Sequence, residues 1–155
     1  IDYSGNAGVN PHEMNHLDQN GRPYLSDTGV LLLREVTSLS EGIPYKSITD
    51  GLSKTIFVFE WSGVGLGGGQ GRGVWASGLN CNYVGHAERD VPLINPPPAK
   101  VWKAGPNVPM FSDHPAGVNV LMCDGSVQYL VEHMDHQTVL AMLTRASGEV
   151  LNGRF

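Results

Sequence analysis

The apolar positions of this chain fall in short runs separated by glycine, proline and polar residues, and only one run has helical spacing. The run "VLLLREV" at 30–36, preceded by Gly29, has the length of a strand. "YKSITD" at 45–50 stops at Gly51, which suits a short helical turn with glycine just past its end. "TIFVFEW" at 55–61 is rich in β-branched and aromatic residues, with Ile56 and Val58 facing one side and Phe57, Phe59 and Trp61 the other. Apolar residues on both faces predict a central strand covered on both sides. "VNVLMC" and "SVQYLV" flank Asp124-Gly125, which predicts a hairpin closed by a two-residue turn with both central residues at positive φ. Asp135 is placed to cap a helix "HQTVLAMLTR", with Val139, Leu140, Met142 and Leu143 as its apolar stripe and Gly148 as its stop. The first forty residues are otherwise polar and irregular, and residues 62–73 ("SGVGLGGGQGRG") and 95–100 ("NPPPAK") read as loops.

This order of elements predicts an α+β fold, mainly antiparallel β-sheet with short helices. Neither half of the chain has enough apolar runs for a core of its own, so residues 1–155 are expected to form a single domain. Composition agrees: Gly 20, Pro 10 and only 16% charged residues describe a turn-rich chain rather than a helical bundle. The net charge of −5, with no basic cluster interleaved with aromatics, argues against a nucleic-acid partner. No window approaches eighteen consecutive apolar residues, so nothing in these residues is expected to cross a membrane as a helix. A chain opening on Ile1 is expected to be a processed or truncated piece, with any targeting or anchoring segment upstream. The two cysteines, Cys81 and Cys123, permit one disulfide but have no C-x-x-C spacing; the alternative makes Cys123 a small buried core residue.

Four stretches suggest chemistry. "HEMNH" at 12–16 matches H-E-x-x-H, in which His12 and His16 would hold zinc from one helix face with Glu13 as general base. Asn20-Gly21 and Pro23 end any such helix within about two turns, and the flanks lack an apolar stripe, so a short surface helix is the plainer reading. "GVGLGG" at 63–68 matches a dinucleotide-binding glycine pattern, but the glycine-rich residues after it would not form the required helix. Ser112, Asp113 and His114 supply the residue types of a hydrolase triad, yet adjacent side chains on an extended chain point apart. His133 and His136 read as a solvated pair that would join a metal site only with partners from elsewhere. Beyond these, Trp61, Trp75 and Trp102 raise a carbohydrate- or surface-binding module as an alternative, because aromatic faces stack on sugars.

His114 and Asp124-Gly125 have nine residues between them. A strand between them would separate their backbones by about 20 Å, so they read as two structural devices, one fixing a loop and the other a turn. The pattern His114, nine residues, Asp124-Gly125-Ser126 resembles the H-X9-DG signature of a large bacterial family abundant in planctomycetes. Its members carry a prepilin-type N-terminal segment followed by a domain of unassigned function. "YSGNAG" at 3–8, "ITDGLSKTIFVFE" at 48–60 and "LTRASGEV" at 143–150 fit the same family in order. Pro115-Ala116-Gly117, "PHEMNH" and the glycine run at 62–73 depart from it.

The resemblance implies a protein similar to the type II secretion pseudopilin G class, with a membrane-inserted N-terminal helix absent here and a β-rich head exposed outside. No catalytic residue carries over, and His114, Asp124, Gly125 and Ser126 are implied to be structural. The reading is therefore a non-enzymatic, exported subunit at the cell surface or in the periplasm, partnered by copies of itself or by other pilin-like subunits. Calcium is suggested by analogy with pseudopilin heads, though no Asp-rich loop is present. The rival reading is a zinc-dependent hydrolase built on "HEMNH", for which a third ligand is missing.

Overall fold

The computed structural model describes residues 3–10, 13, 16–18, 20–25, 28–31, 42–61, 81–86, 91–97 and 109–149. Among these, five strands form one mixed, mostly antiparallel sheet: β1 (Tyr3–Val9), β2 (Ile56–Glu60), β3 (Cys81–Val84), β4 (Gly117–Met122) and β5 (Val127–Val131). A short helix, α1 (His136–Leu143), and a 3-10 turn at Tyr45–Ser47 complete the α+β architecture. The sheet order is β3-β1-β2-β4-β5, with β1 and β3 parallel and every other pair antiparallel.

β2 occupies the centre of the sheet, as its apolar run predicts, but its faces differ from strict alternation. The register shifts between Ile56 and Val58. An extra residue in one strand turns the following side chains over. Ile56, Phe59 and Trp61 are accordingly all buried, whereas Phe57 and Val58 are only half-buried.

The hairpin of β4 and β5 stands where the sequence places it, with a different turn. Gly125 N–H donates to Met122 C=O, Met122 N–H donates to Ser126 C=O, and of the loop residues Gly125 alone has positive φ (87°). Cys123-Asp124-Gly125 is thus a three-residue loop, a right-handed turn closed by one left-handed glycine. Asp124 Oδ1 accepts from both the backbone N–H and the hydroxyl of Ser126, which lets Asp124 hold the turn without adopting positive φ.

α1 begins at its predicted cap: Asp135 Oδ2 accepts from Thr138 N–H at 2.9 Å. The helix buries Val139, Leu140, Ala141, Met142 and Leu143 against the sheet, in one core with Val9, Ile56, Phe59, Met122 and Leu130. Burying such side chains contributes about 1.5–3 kcal/mol each before conformational entropy is counted.

Strand β1 has no apolar alternation, yet every residue after Tyr3 is buried. Asn6 explains how. Its amide donates to Ile56 C=O at 2.7 Å and to Leu143 C=O at 3.0 Å, and its oxygen accepts from Gly8 N–H. One fully buried side chain therefore joins β1, the start of β2 and the end of α1. Nearby, Asp50 accepts from the backbone N–H groups of Ser147 and Gly148, both at 2.8 Å, and Thr55 donates to Thr144 C=O. The strand expected at 30–36 lies mostly outside the described residues; Val30 and Leu31 themselves donate to Asn6 C=O and belong to no strand.

Candidate functional site

Two buried glutamates, Glu60 and Glu13, each gather hydrogen-bond partners from separate parts of the chain. Glu60, the last residue of β2, is held by β4: Asn119 N–H donates to Oε2 at 2.6 Å and the Asn119 amide to Oε1 at 3.1 Å. His114 Nε2 lies 3.2 Å from Oε1, on a ring that is 55% exposed. The loop carrying His114 is tied down independently, because its N–H donates to Ser112 Oγ while Asn95 donates to the carbonyls of His114 and Gly117. Burial by itself raises the Glu60 carboxyl, but the Asn119 bonds, the nearby His114 charge and Ser112 hold it below the ordinary glutamate range. The arrangement locks a loop to a strand.

Glu13 is buried more deeply, at 1% exposure, in the turn that follows β1. Asn10 N–H is fixed on Val84 C=O, then Glu13 N–H donates to Asn10 C=O and His16 N–H to Glu13 C=O. These three-residue steps form tight turns that place Glu13 and His16 on one side. Gly85 makes room: a Cβ there would come within 2.4 Å of Asn10 Cβ and 2.8 Å of Glu13 Cγ. The next residue, His86, donates its N–H to Glu13 Oε1 at 2.7 Å.

The other oxygen, Oε2, meets two imidazoles, His16 Nε2 at 3.2 Å and His136 Nε2 at 3.1 Å. The two rings stack with centroids 4.9 Å apart and an interplanar angle of 28°. Burial raises the Glu13 carboxyl, whereas the His136 and His86 bonds and the charges of His136 and His16 more than offset it and keep it low. His136, the first residue of α1, also lines a cavity of about 340 Å3 together with Val91, Leu93, Ile94, His133 and Val139. One carboxylate oxygen and two imidazole nitrogens within 4.8 Å of one another form a donor set suited to a transition metal.

This geometry redraws the "HEMNH" expectation. His12 lies outside the described residues. Glu13 points inward with both oxygens engaged, so it is not placed as the free base of a hydrolase, and the partner of His16 is His136 from the far end of the chain. His136 is correspondingly no member of a solvated pair, whereas His133 is 88% exposed as expected. Among the described residues no group of three or more acidic side chains converges without histidine.

A family model described as "Protein of unknown function (DUF1559)" matches residues 2–137. The chain belongs to the DUF1559 family. No curated protein and no solved structure matches significantly. The DUF1559 match includes three of the four stretches that carry the resemblance, among them His114 and Asp124-Gly125-Ser126. The fourth, at 143–150, lies beyond the match but is bonded to Asp50 of the second through Ser147 and Gly148. As a family of unknown function, DUF1559 indicates no class of catalysis.

The remaining DUF1559 candidates are dispersed. His114 and Asp124 do not meet, the first bonded to Glu60 and the second to Ser126. Cys81 and Cys123 are free thiols, which corrects the disulfide. Cys81 is on β3 and Cys123 just beyond β4, three strand spacings away, or about 14 Å, whereas a bridge requires Cα atoms closer than about 7 Å. Burial raises both thiols, Cys123 to about 11 with a contribution from the Asp124 charge, so neither is a ready nucleophile. Trp61 is buried in the core rather than displayed to a sugar, and Trp75 and Trp102 lie outside the described residues.

Proposed function

We propose that this DUF1559 domain is the exported head of a pilin-like or pseudopilin-like subunit, structural rather than catalytic. Membership of DUF1559 over residues 2–137 carries the reading, together with the resemblance of the pattern His114, nine residues, Asp124-Gly125 to that of prepilin-type proteins. The surface is compatible with assembly. β5 lies at one edge of the sheet, and its alternate residues Val127, Tyr129 and Val131 are exposed at 67%, 42% and 49%. An edge strand with an outward apolar stripe is a ready contact for a further copy or for a related subunit. No helix among the described residues is long and apolar enough to cross a membrane, so attachment would require a segment outside them.

Mass spectrometry of the N-terminus of the native, full-length protein tests the proposal. An N-methylated first residue followed by about twenty apolar residues, enough to span a bilayer as a helix, is the expected result. A conventional signal-peptide cut with no apolar helix would overturn it in favour of a free secreted domain.

A further inference from the structure

We propose that Glu13, His16 and His136 bind one divalent transition-metal ion of the zinc class. The inference is independent of the pilin-like reading and rests on four observations. First, the donors converge: Nε2 of each histidine lies 3.1–3.2 Å from the same carboxylate oxygen, and all three atoms lie within 4.8 Å of one another. Ligand atoms around a tetrahedral zinc ion at about 2.0–2.1 Å stand roughly 3.3 Å apart, so small rotations of two imidazoles admit the ion. Second, the carboxylate is already oriented, because its remaining oxygen accepts from the buried His86 N–H. Such outer bonds fix the direction of a metal ligand and sustain affinity.

Third, the set is assembled from distant parts of the chain, a turn after β1 and the first residue of α1, with Gly85 leaving the space for Glu13. Nothing in either local element requires a histidine to face the other. Fourth, His136 itself lines a cavity of about 340 Å3, so one of the three ligands borders open space rather than closed packing. Two imidazoles with one carboxylate favour zinc or a neighbouring first-row ion over calcium and magnesium, which take oxygen donors. Bound there, the ion would clamp the turn after β1 to the start of α1.

The test is titration of chelator-treated protein with Zn2+ by calorimetry, and with Co2+ by visible absorption. The expected result is one saturable Zn2+ site per chain. Co2+ should show the intense d–d bands of a low-coordinate nitrogen- and oxygen-ligated ion. His136→Ala and His16→Gln should each weaken Zn2+ binding by more than about tenfold, the loss typical even of an outer-shell change. His133→Ala, on the exposed neighbour, should leave it unchanged. Absence of a one-to-one site, the weak spectrum of hydrated Co2+ in the wild type, or equal affinity in wild type and a folded His136→Ala would each overturn the proposal. The wild-type spectrum decides the matter even where a variant fails to fold.

Discussion

Glu60 and Glu13 are both buried carboxylates with an imidazole at about 3 Å, but their surroundings differ in kind. Glu60 is held mainly from one residue of the adjoining strand, the Asn119 backbone N–H on one oxygen and the Asn119 amide on the other, with a single imidazole, His114, beside it. Glu13 has a single backbone donor, and its second oxygen is shared by two rings whose nitrogens can donate or accept according to tautomer, one of them, His136, bordering a cavity. A carboxylate satisfied by fixed donors is a fastening. One facing adaptable, convergent ligands has coordination capacity left over.

Glutamine substitution separates the two most sharply. Glu60→Gln can keep its oxygen on the Asn119 N–H, but its NH2 then faces the Asn119 amide, which must turn over to accept it, while the charge that strengthens both bonds is lost. The expected cost is about 3 kcal/mol, read as a lowered urea midpoint with unchanged slope. In metal-free protein, Glu13→Gln should cost less, about 1–2 kcal/mol, because its retained oxygen can still accept from His86 while the imidazoles switch to accepting from the new NH2. Equal costs would mean that the Glu13 cluster is as fixed as that of Glu60, and the contrast would fail.

Mild acid gives a smaller effect, since it removes only part of the Glu60 contribution. In the folded chain Glu60 is held below the ordinary glutamate value, so between the two values the unfolded chain binds more protons. Its stabilisation is full above about pH 4.3 and is lost as pH falls from there through the folded value. Urea midpoints measured at pH 7 and at about pH 4 should fall less steeply with acid in Glu60→Gln than in the wild type.

The same contrast marks how far the sequence could be read. The hairpin of β4 and β5, β2 and α1 are local: apolar runs, Asp124-Gly125 and the Asp135 cap announce them within about ten residues. β1 could not be read that way, because Ser4, Gly5, Asn6 and Ala7 lack both strand propensity and alternation. Asn6 is buried there because of carbonyls contributed by residues 56 and 143. β3, at the sheet edge beside β1, went unread for a similar reason. Of the two sites, His16 and Glu13 were visible as a motif, but their completion by His136 depends on tertiary approach that no spacing encodes. Glu60 was overlooked although a signal existed: it is the lone charge within the apolar run "TIFVFEW", at a position the strand buries. A buried charge in such a run calls for donors.

His114→Ala gives the smallest expected effect and tests whether the histidine of the family pattern acts through its ring or through its place in the chain. The ring is half exposed, so its attraction to Glu60 is screened, and its loss should cost only about 0.5–1 kcal/mol. Alanine retains the N–H that donates to Ser112 and the carbonyl that accepts from Asn95, so the loop keeps its anchors. Glu60 likewise keeps both bonds from Asn119. Thermal unfolding of His114→Ala, alone and combined with Glu60→Gln, measures the coupling directly. A loss below about 1 kcal/mol that disappears in the Glu60→Gln background would assign the ring a minor electrostatic part within a network fixed by Asn119. A loss as large as that of Glu60→Gln would instead make the imidazole the principal counterpart of the buried charge, and the two glutamate sites would then differ in openness but not in their dependence on histidine.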